Sequence, residues 1–201
     1  MTPLVSINIA VWNQEKLILR ALDSIPERDD IEIIVVNDGS TDNTLQNVKE
    51  WHEKHPNVNL KLITYSENMG VGHAKNVGLE QATGIYYVEL DSDDYFYTSE
   101  FLKCLKLLDG TDMVYFNLVV NSGQTWRLNA NSSKVFVGST KFIRRDFIGD
   151  VRYPEIREVE DWFFNENLQK KHPSHKYTDI DVKHYDWPRE GSITWMRGHK
   201  K

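Results

Sequence analysis

An alternation constrains this chain most. Four short runs rich in branched apolar residues, "LVSINIAV" (4–11), "IEIIVVND" (31–38), "NLKLITYS" (59–66) and "IYYVELD" (85–91), are separated by segments of helical character. Continuous apolar runs of this length read as strands buried on both faces. The segments between them, 14–25, 40–55 and 72–83, read as helices, the second opening in turn formers and the third ending before Gly84. The pattern predicts an α/β fold with a mostly parallel, Rossmann-like central sheet flanked by helices. Ligands of such sheets bind outside the carboxyl ends of the strands. Polar residues gather there: Asn13 beside Trp12, then Asp38-Gly39-Ser40, then Asp91, Asp93 and Asp94.

The second half is less regular. Residues 99–110 read as a capped amphipathic helix, and 112–129 as a hairpin turning at Asn121-Ser122-Gly123. Residues 139–150 and 158–172 are expected to be helices, 179–187 a last strand, and 188–201 a tail. With 201 residues and no repeat or linker, a single domain over 1–201 is expected. The net charge of −6 does not favour a nucleic-acid partner. The one cysteine, Cys104, excludes an intrachain disulfide and a cysteine-rich zinc cluster. The N-terminus lacks the charged and apolar regions of a signal peptide, and no apolar run is long enough to cross a bilayer. A soluble, cytoplasmic protein is expected.

Four segments could carry chemistry, and each also has an ordinary structural reading. "YYVELDSDDYFY" packs Glu89, Asp91, Asp93 and Asp94 into six positions. It could be a solvated turn. It is not an EF-hand loop, because counting from Asp91 puts Phe96 and Leu102 where a glycine and a glutamate are required. Asp91-Ser92-Asp93 suits a divalent cation that neutralises a diphosphate. In "VVNDGSTDNT", Gly39 makes a turn and Ser40 or Asp42 caps a helix, which leaves the Asp38 carboxylate free for a ligand. "SENMGVGHAKNVGLEQATG" has neither the spacing nor the lysine of a Walker A loop; it offers close packing at Gly78 and puts Lys75 near a phosphate or base. Glu160 and Asp161 in "EVEDWFFNEN" either complement a helix dipole or supply a general base.

Taken together, "VSINIAVWNQEKLILRALDSI", "IEIIVVNDGSTDNT", "ENMGVGHAKNVGLEQATGIYYVELDSDD", "EDWFF" and "REGSIT" resemble, in this order and over nearly the whole chain, the inverting family 2 of GT-A fold glycosyltransferases. The resemblance implies a nucleotide-sugar-binding half (1–97) and a smaller acceptor-binding half that carries the catalytic base (98–201). It implies a nucleotide-diphosphate sugar donor, most often a UDP-sugar, with Mn²⁺ or Mg²⁺ as cofactor and direct displacement at the anomeric carbon. Ala10 and Trp12 match the lining of the base pocket, Asp38 the acid that reads the base edge, and Lys75 a position, often arginine, near base and phosphates. Asp91 and Asp93 match the D-x-D pair, Asp93 as the better metal ligand. Asp161 matches the catalytic base, with Glu160 its neighbour. Arg189 and Ser192 match a loop over the diphosphate, and His184 is a candidate further metal or phosphate contact. Two positions depart from the pattern: Trp12 replaces a more usual tyrosine, and Ala10 a proline. The acceptor could be a glycan, a lipid-linked sugar, a protein or a modified nucleobase. Without a membrane-embedded region, processive polymer export is not expected. A sugar nucleotidyltransferase and a non-catalytic nucleotide-sugar or carbohydrate-binding module remain as alternatives, distinguished by the product released and by any turnover.

Overall fold

The structure, a computed structural model, describes residues 2–132, 138–156 and 159–187. The first half runs β1 (Val5–Val11), α1 (Ile18–Asp23), β2 (Ile31–Asn37), α2 (Thr44–Lys54), β3 (Asn59–Thr64), α3 (Val71–Gln81) and β4 (Tyr86–Glu89). The second half adds β5 (Tyr95–Phe96), α4 (Thr98–Leu105), β6 (Met113–Val120), β7 (Thr125–Trp126), β8 (Lys141–Arg144), α5 (Arg145–Ile148), α6 (Glu160–Gln169) and β9 (His175–Tyr185). The described strands form one sheet in the order β3-β2-β1-β4-β8-β6-β9-β5, with β7 paired to β6.

The expected parallel region is β3-β2-β1-β4. β2 is buried at every position, and β1 at all but Ala10. On one face Val5, Ile7, Ile9, Ile31, Ile33 and Val35 pack with Ile18 and Leu22 of α1 and with Val48 and Trp51 of α2. On the other, Ile34 and Val36 pack with Ala74 and Leu79 of α3. Parallel strands need such crossovers, and burial of both faces explains the unbroken apolar runs.

Asn8, a polar residue in the middle of β1, has a packing role. Its Nδ2 donates to the Tyr87 hydroxyl (2.8 Å) and to the Lys75 carbonyl (3.3 Å). A Cβ on Gly78 would overlap the Asn8 carboxamide, so the glycine lets α3 settle onto the sheet.

The second half corrects several expectations. Residues 139–150 do not form one helix. They make a 3-10 turn (Gly138–Thr140), then β8, then the single turn of α5. β8 lies between β4 and β6, with Ile143 opposite both Tyr87 and Met113, so sheet pairing overrides the local helical signal. The last strand begins at His175 rather than 179, running parallel to β6. The two-residue β5 was not anticipated; it follows the acidic loop and pairs with β9. The hairpin stands as expected, Leu118 opposite Trp126. Among the described residues, no helix is long and apolar enough to cross a membrane.

Candidate active site

The carboxyl ends of β1, β2 and β4 bring the first polar residues together. Beyond β1, Trp12 is 52% exposed, and Asn13 adopts a left-handed conformation (φ 49°), which asparagine tolerates well. Asn13 N donates to Ser40 Oγ (2.9 Å), and Thr41 N donates to Asn13 Oδ1 (2.8 Å), so the loops after β1 and β2 hold each other. Asp42 accepts from the Thr44 amide (2.9 Å) at the start of α2, whereas Ser40 serves the neighbouring loop.

Asp38 is buried, and its carboxylate is not free. Oδ1 accepts from Met69 N (2.7 Å) and Oδ2 from Gly70 N (2.9 Å). The acid thus fixes the loop leading into α3, and any ligand contact uses its remaining lone pairs. Gly39 is needed at this crossing: its φ is +67°, and a Cβ would stand 2.7 Å from Asn68 N.

The acidic run after β4 holds two lysines. Lys75, on α3, is buried; its Nζ lies 3.6 Å from Glu89 Oε2, donates to Glu160 Oε1 at 3.0 Å, and pairs with Asp161 Oδ1. It sits 5.4 Å from the centre of the Tyr153 ring. Burial alone would lower the Lys75 pKa, but Asp161, Glu89 and Glu160 raise it well above the ordinary range. Glu89, also buried, is pushed up to about 7 by desolvation, against the pull of Lys75 and with repulsion from Asp161 and Asp91. Lys183, on β9, is the second lysine. It reaches Asp91 (3.1 Å) and Asp94 (2.5 Å) and donates to Ser139 Oγ (2.6 Å). Burial would raise Asp91; the ammonium groups of Lys183 and Lys75 outweigh it and hold this carboxyl well below the usual range. Asp94 is pushed up to about 7, chiefly by burial.

α6 supplies the other carboxylates. Its start is set by Val159, which precedes Glu160 in a left-handed conformation (φ 61°). That is unusual for a β-branched residue, costs on the order of 1–3 kcal/mol, and clusters at functional sites. Glu160 is buried, while the Asp161 side chain keeps 29% of its exposure. Trp162 and Phe163, beside the acid, are both exposed. Lys141 of β8 is buried within the same field. Desolvation pushes it down to about 7, although Asp161 and Glu89 oppose this, and its Nζ stands 5.5 Å from the Tyr115 ring centre.

The structure therefore joins Lys75, Glu89, Glu160 and Asp161 in one cluster, and Asp91 with Asp94 in a second on Lys183. Lys75 faces the α6 acids rather than only the donor side suggested for it by resemblance. Asp93 lies at the rim, partly exposed. His184 is engaged: in the tautomer that satisfies both neighbours, Nε2–H donates to Asn121 Oδ1 (2.8 Å) and Nδ1 accepts from the Tyr97 hydroxyl (3.3 Å), with the ring stacked on Tyr95. Both ring nitrogens thus already have a neighbour. Arg189 and Ser192 lie outside the described residues. Lys183, Lys141 and Arg20 were not singled out from sequence; a lysine within a strand signals nothing until the opposing acids are known.

The donor set fits a hard divalent cation. Asp93 and the Asp91 side chain, itself 35% exposed, offer oxygen ligands at the strand ends. Among the described residues, no group of three or more His, Cys, Asp or Glu is arranged as a metal cage. Two carboxylates are the number that typically shares such an ion with substrate phosphates.

The family described as Glycosyl transferase family 2 matches residues 6–174. A relative in Bacillus subtilis, named "Putative glycosyltransferase EpsH", is 30% identical over 214 residues, covering 92% of this chain and 61% of the relative. The crystal structure of S. aureus TarS 1-349 in complex with UDP-GlcNAc superposes with a TM-score of 0.79 at 25% identity, covering 94% of this chain and 59% of that one. The mannosyltransferase PcManGT of Pyrobaculum calidifontis, in complex with GDP-Man and Mn²⁺, shares the fold (TM-score 0.77, 23% identity, 97% and 60% coverage). The chain spans about three fifths of the length of these proteins.

Proposed function

The chain belongs to glycosyl transferase family 2, and from that premise we propose that it transfers a sugar from a UDP-sugar to an acceptor hydroxyl with inversion at the anomeric carbon. One observation carries the reading. Lys75, on the donor-side helix α3, gathers Glu160 and Asp161 from α6, residues 85 and 86 positions away, beside the strand-end acids Glu89 and Asp91. A partly exposed carboxylate is thereby held next to the loop suited to a diphosphate. A donor complex of a 25%-identical relative supports the UDP-sugar assignment.

In this reading residues 1–97 bind the donor and 98–201 bind the acceptor. Trp12 offers an aromatic face to the base, Ala10 lines the pocket, and Asp38 contacts the base edge with lone pairs left by Met69 and Gly70. Arg189 and Ser192 are assigned to the diphosphate. Asp93, with the exposed part of Asp91, would hold Mn²⁺ or Mg²⁺, which when bound supplies Lewis acidity to the leaving diphosphate. Asp161 accepts the acceptor's hydroxyl proton as its oxygen forms the new bond to the anomeric carbon. The old carbon–oxygen bond breaks with its electron pair on the departing UDP. Lys75 and Glu160 orient Asp161, and exposed Trp162 and Phe163 stand where an acceptor would approach. Cys104 is free and buried, in keeping with a cytoplasmic location.

Asp161→Asn tests the assignment. The amide keeps the size of the side chain but cannot take the proton, so turnover should fall by roughly 10²-fold or more while UDP affinity with Mn²⁺ persists. An α-linked donor should yield a β-linked product and free UDP in the wild type. A variant with near wild-type turnover, release of pyrophosphate, or an α-linked product would overturn this mechanism.

A further inference from the structure

Three carboxylates crowd the loop after β4, yet two are already paired. Lys183 is fully buried (0% exposed), and its ammonium lies against Asp91 Oδ2 (3.1 Å), Asp94 Oδ2 (2.5 Å) and Ser139 Oγ (2.6 Å). Asp94 Oδ1 accepts from Asp186 N (2.8 Å), so the loop is tied to β9 and its exit at two points. From α1, Arg20 pairs with Asp186 Oδ2 (3.1 Å) and donates to the Asp93 carbonyl. Phe96 of β5 sits opposite Lys183 in the sheet, which fixes the lysine directly beneath the loop. Asp93 lies at the partly exposed rim of the loop.

An ammonium this close changes what the loop can do. A divalent cation approaching Asp91 meets a fixed positive charge already in place, and the two repel. A diphosphate brings its own negative charge and oxygen ligands, which reverses the balance. We propose that Lys183 is a positioning residue acting as a resident cation: it satisfies Asp91 and Asp94 before any donor binds, so a divalent metal is taken up with the nucleotide diphosphate and not by the protein alone. The inference rests on the UDP-sugar reading above.

The test follows Mn²⁺ directly, through loss of the free-ion electron paramagnetic resonance signal, with and without UDP and corrected for Mn²⁺ held by UDP itself. Wild type, Lys183→Met and Lys183→Met/Asp94→Asn are compared, with melting temperature measured by circular dichroism on the same samples. The double variant also removes the buried carboxylate that the single change leaves unpaired, so it keeps the test open if the single variant fails to fold. Wild type should bind Mn²⁺ roughly tenfold or more weakly without UDP than with it, and a folded variant should gain roughly tenfold or more in nucleotide-free Mn²⁺ affinity. Equal wild-type affinity with and without UDP would overturn the proposal. So would a variant that melts lower but shows unchanged nucleotide-free Mn²⁺ affinity, since a purely structural lysine predicts that result. If wild type shows no Mn²⁺-dependent UDP binding at all, the donor reading itself fails, and this is distinguished from failure of the Lys183 role by the UDP arm alone.

Discussion

Replacing Lys75 by methionine removes one ammonium and leaves three carboxylates facing one another. Glu89 and Glu160 are buried, and Asp161 is mostly so. Breaking a buried ion pair from one side costs about 3–5 kcal/mol, because the remaining charge keeps its desolvation penalty and loses its partner. For a chain of 201 residues, each kcal/mol lowers the melting temperature by about 2–4 °C, so a fall of roughly 6–20 °C is expected at pH 8. The loss must also depend on pH in one direction. Glu89 already binds its proton more tightly in the folded protein, at about 7 against an ordinary 4.5. Ionised Glu89 therefore costs the folded state stability above about pH 7, and this cost fades as pH falls towards 4.5. Without Lys75 the cost at high pH grows, so the gap between variant and wild type should be widest at pH 8 and narrower at pH 5.5. Calorimetry at both values, with UDP titrations at pH 8, measures the effect. UDP affinity should change little if Lys75 serves Asp161 and not the nucleotide, while turnover falls. A melting shift under about 2 °C at pH 8, or a larger gap at pH 5.5 than at pH 8, would refute this reasoning.

Other outcomes follow from single contacts. Asp38→Ala leaves the Met69 and Gly70 amides without their acceptor; it should destabilise the protein by about 1–3 kcal/mol and weaken UDP binding roughly tenfold to a hundredfold, both measurable by calorimetry. Gly78→Ala forces a methyl group into the Asn8 carboxamide and should cost about 1–3 kcal/mol in urea denaturation, although the site lies outside the proposed chemistry. Chelation should abolish transfer and added Mn²⁺ restore it, while the melting temperature without UDP stays unchanged, because no metal cage among the described residues depends on the ion.

Much of the fold was legible from local pattern. The runs of β1, β2 and β4 announce themselves because strands buried on both faces take mostly apolar residues, whereas β3, at the end of the strand order, is only partly buried. Even so, the helical spacing near Gln14 overstates α1, which begins at Ile18. Where the pattern was mixed, tertiary context decided. Lys141-Phe142-Ile143-Arg144 reads equally well as one turn of a helix, and becomes a strand because β4 and β6 offer a slot for it. β5 is too short to carry any periodicity and exists because β9 pairs with it.

The candidate site divides along the same line. Sequence alone determined that acids would stand at the carboxyl ends of β2 and β4, since strand ends and turn residues are local properties. The presence of Glu160 and Asp161 at the start of a helix was equally local. Only the tertiary structure decided what those acids face. Asp38 is bonded to a loop some thirty residues on, Asp161 meets Lys75 across 86 residues, and Asp91 meets Lys183 across 92. A charge's partner is chosen by distance in space, and burial then fixes how strongly the pair is felt; neither quantity is written in the spacing of residues along the chain.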